Sequence, residues 1–178
     1  MSIANVTFMK LAVTDAYIFI DLYDLQLTDH FFQLGIEIHT SVDVLNELYT
    51  HQQQMLAAFQ SAGKLIAHII KEEDKKEIQA NLYPKSLSDS DKTVLYLAAR
   101  LEAMVLSSDK MVRNSAKNNA IDYYGMIWIF DKLVESNLIS KLEASIKLKQ
   151  LISTKIGCQS NKELVKALDA RVAIWCKV

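Results

Sequence analysis

The stretch LAVTDAYIFIDL, Leu11 to Leu22, decides the fold. Leu11–Thr14 has the apolar pattern of a short strand, Asp15 interrupts it, and a mostly apolar helical run follows. A strand that passes directly into a helix is the opening of a β-α-β crossover. Working outward, the same unit recurs. The first helix is read over Ala16–Leu27, and a further helical stretch, Asp29–Leu34, stops at Gly35, a C′ glycine. Ile36–Thr40 is a second strand, Ser41 an N-cap, and Val42–Ala62 one long helix ending at Gly63. Lys64–Ile70 is a third strand, followed by a polar helix over Lys71–Tyr83 that Pro84 breaks. A helix beginning near Ser88 feeds the strand Met104–Ser107; a helix from Asp109 to about Asn118 and a strand over Ala120–Tyr124 complete the alternation.

From Met126 onward the pattern is helical throughout, with capping boxes at Ser140-x-x-Glu143 and Ser160-x-x-Glu163. Strand and helix alternating over residues 11–124 predict an α/β fold. Its architecture is a three-layer αβα sandwich around a mostly parallel sheet of four to five strands, with extra helices at the C-terminal end. Residues 1–155 are expected to form the main domain, and residues 156–178 a helical extension packed on it.

Composition excludes several classes. Of 178 residues, 51% are hydrophobic and 23% charged, which supports one domain with a real core. The net charge of −1 means that a polyanionic partner must meet a local basic patch, since no global field attracts it. Two distant cysteines, Cys158 and Cys176, match no metal spacing and suggest a reducing compartment. MSIANVTFMK lacks the layout of a signal peptide, and no apolar run is long enough to span a bilayer, so a cytoplasmic location is expected. The histidines at 30, 39, 51 and 68 show no zinc-binding arrangement; His39 and His68 fall in strands and read as satisfied, partly buried groups. No nucleophile elbow, P-loop or dinucleotide fingerprint occurs.

The acids carry the functional reading. In an open α/β layer, helices that follow a strand start at the carboxyl edge of the sheet, where ligands bind. Asp15 follows the first strand, Glu47 lies in the second turn of the helix after IEIHT, and Asp109 follows MVLS. Asp91 lies in the first turn of the helix that feeds MVLS, and that turn reaches the same edge. Four carboxylates brought together repel unless protonated or neutralised by a cation. Hard divalent ions take oxygen ligands, activate water and stabilise a leaving oxygen, so Mg²⁺ or Mn²⁺ and a phosphate-bearing substrate are expected. Taken singly, each acid has a plainer role. Asp91 fits a capping box with Ser88, Asp15 and Asp109 fit N-caps, and Glu47 fits a solvated helix position.

Four pieces of the chain resemble the PIN-domain ribonucleases, the group that contains the VapC-type toxins: VTDAYIFIDL, HTSVDVLNEL, LSDSDKTVLYLAARLEAMVLSSD and the tail SAKNNAIDYYGMIWIFDKLVESNLIS. The resemblance covers roughly residues 11–155. It implies cleavage of single-stranded RNA by metal-activated water, with Asp15, Glu47, Asp91 and Asp109 as the acids and Asp15, Asp91 and Asp109 as metal ligands. Ser107 would hold a water or orient a carboxylate. The resemblance also implies a homodimer and, for the toxin members, an antitoxin partner. Ala16 and Tyr17 depart from the family, which often has a small polar residue after the first acid. Asp89 competes with Asp91 for the third role; Asp91 is preferred because the VLYLAA phase follows it as in the family. Asp21 is read as facing away from Asp15.

Lys110, Arg113 and Lys117 recur at helical spacing after Asp109 and, with Lys92, fit either RNA phosphate contacts or a solvated face. Tyr17, Tyr123 and Tyr124 fit base stacking or rim packing. KEEDKKE, Lys71–Glu77, reads as an exposed helix face. Met126, Trp128 and Trp175 fit either a subunit interface or packing back on the sheet. Two other functions remain in view: a degenerate domain of this family that binds RNA or protein without cleaving, and a small-molecule phosphoester hydrolase.

Overall fold

The computed structural model describes residues 10–154 and 162–176. Five strands form one sheet: β1 (Leu11–Thr14), β2 (Glu37–Ser41), β3 (Leu65–His68), β4 (Met104–Leu106) and β5 (Tyr123–Tyr124). They lie in the order β3-β2-β1-β4-β5, and every pairing is parallel. The sandwich expected from the alternation is present, and the sheet is wholly parallel.

Helices α1 (Ala16–Asp24), α2 (Thr28–Phe31), α3 (Val42–Asn46) and α4 (Thr50–Ser61) connect the first three strands. Helices α5 (Glu72–Ala80) and α6 (Asp89–Leu101) cross from β3 back past β1 to β4, and α7 (Lys110–Asn118) joins β4 to β5. Right-handed crossovers running in opposite directions from β1 put these two helix sets on opposite faces. Helix α6 lies across β1, β2 and β4, with α5 and α7 beside it; α1 packs on α2 and α4. The direction of winding therefore reverses between β1 and β4, the place where open α/β sheets form their ligand crevice.

Several boundaries differ from the sequence reading, each for a local reason. The helix expected over Val42–Ala62 is two helices. The Gln53 amide donates to the carbonyls of Leu45 and Leu48, both at 2.9 Å, and the Gln52 side chain accepts the Tyr49 N–H. These side chains satisfy backbone groups that an unbroken helix would use itself. Helix α1 stops short of Leu27 because Gln26 turns left-handed (φ 55) and the Leu27 N–H bonds back to Leu22. Ala120, also left-handed, shortens the last strand to Tyr123–Tyr124. Ser41 caps α3 as expected, its hydroxyl accepting the Val44 N–H.

Beyond the sheet come α8 (Met126–Glu135), α9 (Lys141–Thr154) and α10 (Lys162–Cys176). Ser140 caps α9 through the Glu143 N–H. Trp175 is buried against Phe130 of α8, and Arg171 pairs with Asp131 at 3.1 Å. Met126 is also buried, so Met126 and Trp175 serve the core of this chain and offer no subunit interface; Trp128 is half-buried and stacks on Tyr124. The expected start at Ser160-x-x-Glu163, Cys158 and the division between 155 and 156 lie outside the described residues. No helix among the described residues is long and apolar enough to cross a membrane.

Candidate active site at the carboxyl edge of the sheet

Asp15 leaves β1 at the point where winding reverses. Its backbone N–H donates to the Leu106 carbonyl of β4, which pins it between the two central strands. One carboxylate oxygen accepts the Ile18 N–H and so caps α1. The other accepts the Ser107 hydroxyl. The carboxyl is buried, and burial pushes its pKa up to about 7 against the pull of these two hydrogen bonds. The charges of Asp91 and Asp21 add to the rise.

Ser107 joins two acids. While its hydroxyl donates to Asp15, its oxygen accepts the Asp109 N–H at 3.0 Å. The Asp109 carboxylate then caps α7, one oxygen accepting from Met111 (2.6 Å) and Val112 (3.0 Å). Gly125, directly after β5, closes the opposite side. A Cβ there would sit 3.3 Å from the Ser107 carbonyl oxygen and 3.9 Å from the Arg113 guanidinium. Glycine thus lets the end of β5 approach Ser107.

Asp91 sits in the capping box foreseen for it: its Oδ2 accepts the Ser88 N–H, and the Ser88 hydroxyl accepts the Asp91 N–H, both at 3.1 Å. Asp89 is different. Its side chain is 99% exposed and pairs with Lys92 at 2.9 Å, and it is Asp91 whose charge reaches Asp15. Glu47 is not inside a helix turn. It is the C-cap of α3, exposed, and accepts the Ser90 hydroxyl of α6. The same turn of α6 is tied to β2 through Thr93, whose hydroxyl lies 2.6 Å from that of Ser41.

Asp109 thus connects to Asp15 through Ser107, and Asp91 lies near enough for its charge to help raise the Asp15 pKa. Glu47 reaches the first turn of α6 but has no described contact with Asp15. Asp21, read as facing away, is buried near enough for its charge to raise the Asp15 pKa. Arg113 reaches the Ser107–Gly125 contact, whereas Lys110 and Lys117 are exposed on α7. Lys92 points to the cleft between α5 and α6. Tyr17 is 55% exposed in the first turn of α1. The sequence reading missed Gly125; a glycine immediately after a short strand was its available signal.

Among the described residues, no group of three or more histidine, cysteine, aspartate or glutamate side chains is close enough together to hold a metal ion. The second carboxylate oxygens of Asp91 and Asp109 have no hydrogen-bond partner among the described residues. This donor set is all oxygen and suits an ion held by one or two carboxylates with most of its water shell, as Mg²⁺ prefers.

A family model described as a PIN domain matches residues 11–171, and the chain belongs to that family. No curated protein matches the sequence. PIN domains are generally nucleases that bind nucleic acid and use divalent metal ions.

Proposed function

We propose that this PIN-domain protein is an endoribonuclease that hydrolyses phosphodiester bonds of single-stranded RNA with Mg²⁺ or Mn²⁺. The observation that supports this best is the buried Asp15 carboxyl, held between β1 and β4 and joined through Ser107 to Asp109. A desolvated carboxylate with a raised pKa and acids for neighbours is relieved by a cation or a proton.

In this reading Asp15, Asp91 and Asp109 hold the ion, and Glu47 positions or accepts a proton from water. Ser107 fixes the orientation of Asp15 and the start of α7. Lys92, Lys110, Arg113 and Lys117 contact RNA phosphates. A bound divalent ion supplies Lewis-acid activation of water and charge for the leaving oxygen. The family resemblance further supports a toxin of a toxin–antitoxin pair, working in the cytoplasm as a homodimer.

A second reading, a PIN domain that binds RNA or a protein partner without cleaving, draws on a specific observation. Asp15, Asp91 and Asp109 each cap a helix, which is a structural role sufficient in itself. The deciding experiment is cleavage of a labelled RNA by purified protein with Mg²⁺ or Mn²⁺, with chelator, and with Asp15→Asn. Metal-dependent cleavage that disappears in the variant supports the nuclease. A folded protein that cleaves under no metal supports the binding module.

A further inference from the structure

A cleft of about 440 Å³ lies beside the acids rather than on them. It opens at the same carboxyl edge, but at the β3 end. Ile70, just past β3, and Ile78 of α5 line it, together with Tyr83 in the connection to α6. Lys75, Lys85 and Lys92 stand around it. From β1 to β3 is two strand spacings, about 10 Å. The first turn of α6 borders both places. Asp91 acts on Asp15, while Asp89, Lys92 and Thr93 line the cleft. A chain lying along the edge with a phosphate at Asp15 would therefore run into this cleft.

The lining has the chemistry of a single-strand subsite. Three lysines and two acids, Asp43 and Asp89, line it, and a third acid, Glu72, pairs with Lys75. Lys75 and Lys92 pair with exposed acids, Glu72 at 2.7 Å and Asp89 at 2.9 Å, and the charge of Asp43 also reaches Lys75. Exposed pairs of this kind contribute about 0–1 kcal/mol, so a phosphate readily replaces the acid. Lys85 makes no ion pair among the described residues. Tyr83 is half-buried, packs against the core and lines the cleft, so its aromatic ring borders the space. Cationic groups that follow a backbone, with an aromatic face for a base, are how sequence-tolerant single-strand sites are built.

We propose that this cleft holds a nucleotide flanking the scissile phosphate of a bound single strand. Lys75, Lys85 and Lys92 meet its phosphates, and Tyr83 stacks on its base. The inference rests on the RNA reading above, and its test is independent of cleavage.

The test is fluorescence anisotropy of a labelled, unstructured single-stranded RNA on the Asp15→Asn protein in chelator, where neither metal nor turnover enters. Lys85→Ala is expected to weaken binding and to lower the slope of log affinity against log salt by about 0.7, one phosphate contact on a single strand. Tyr83→Ala is expected to weaken binding roughly tenfold at any salt, in keeping with the loss of one stacked base. Lys149→Ala, exposed on α9 far along the chain, should change neither. Circular dichroism confirms that each variant is folded. Cleft variants that bind like the parent, a loss equalled by Lys149→Ala, or a parent that binds no RNA would each overturn the proposal. RNA binding that depends on the cleft, in a wild-type protein that never cleaves, would instead overturn only the nuclease reading.

Discussion

The Ser107 hydroxyl donates to an Asp15 carboxylate oxygen at a point where neither residue exposes more than 2% of its surface. The two residues are 92 positions apart in sequence. Their contact exists because β1 and β4 are neighbours with Thr14 in register with Leu106, so the residues that leave the two strands stand side by side. Charge on Asp15 is costly there, and a hydroxyl donor and a backbone amide offset only part of the cost.

Asp15→Asn should separate stability from activity. A carboxyl raised from 3.8 to about 7 stabilises the fold fully only below its unfolded value, and that contribution is lost as pH rises toward 7. At and above neutral pH the amide, uncharged at every pH, avoids the penalty. The variant should unfold at a higher temperature than wild type at pH 8, by the equivalent of roughly 2 kcal/mol, with the advantage shrinking in acid. Cleavage should fall at least a hundredfold. Thermal unfolding across pH, with and without metal, checks the first point; added Mg²⁺ should narrow the gap by stabilising wild type alone.

Ser107→Ala removes a donor to Asp15 and an acceptor for the Asp109 N–H in one step. Leaving two buried polar groups short of partners costs about 1–3 kcal/mol. The metal concentration at half-maximal cleavage should rise tenfold or more, because the carboxylate loses the group that orients it. Ser107→Thr, which keeps the hydroxyl, should recover most of the metal response. Denaturant titration and metal titration measure the two effects separately.

Asp89 and Asp91 can be told apart. Asp91→Asn should abolish cleavage while lowering stability by about 1 kcal/mol, the ordinary worth of a helix cap. Asp89→Asn should leave cleavage within threefold and barely move stability, since its exposed pair with Lys92 contributes little. Equal loss in both variants would mean that the first turn of α6 acts through its total charge.

A pH-dependent weakness is expected at the β2–β3 edge. His39 Nδ1 lies 2.8 Å from His68 Nε2, and its Nε2 lies 2.8 Å from Glu37. One imidazole must accept in this pair, so a second proton breaks the link. Burial holds the His68 pKa below 6.5, and the nearby His39 and Arg100 add to that; Asp74 of α5 anchors Arg100 at 3.0 Å. A depressed folded pKa contributes stability that is complete above about 6.5 and lost as pH falls through the lower folded value. Urea titrations at neutral and mildly acid pH should show this loss in wild type and a flatter profile in His68→Asn.

Trp175→Ala tests whether α10 is integral to the domain. Trp175 is 6% exposed and packs on Phe130 with ring centroids 6.0 Å apart. Removing a buried indole costs about 3–5 kcal/mol. A single unfolding transition, shifted as a whole, is the expected result; two transitions would mark α10 as a separate unit.

What the sequence by itself determined is the local part. Strand-to-helix junctions at Asp15 and Asp109, the Ser88–Asp91 box and the Ser41 and Ser140 caps were all legible, because each is a hydrogen bond between atoms two or three residues apart. The plainer reading of the acids is visible for three of the four, since Asp15, Asp91 and Asp109 each accept backbone N–H groups at the start of a helix. KEEDKKE shows the limit from the other side. It looked like a solvated face, yet Asp74 accepts the Tyr96 hydroxyl and pairs with Arg100, both on α6. The break of the long helix at Glu47 turned on the Gln53 side chain reaching carbonyls five and eight residues back, beyond any periodic signal. Tertiary structure alone decided the strand order, and with it everything that depends on neighbours distant in sequence. Ser107 meets Asp15, Glu47 meets Ser90, and Asp91 comes near enough for its charge to act on the buried acid. The physical reason is that periodicity and capping specify which groups need a partner within a turn or two. Which strand lies beside β1 is decided only when the sheet closes and buries its faces, and the sequence has no local mark for that.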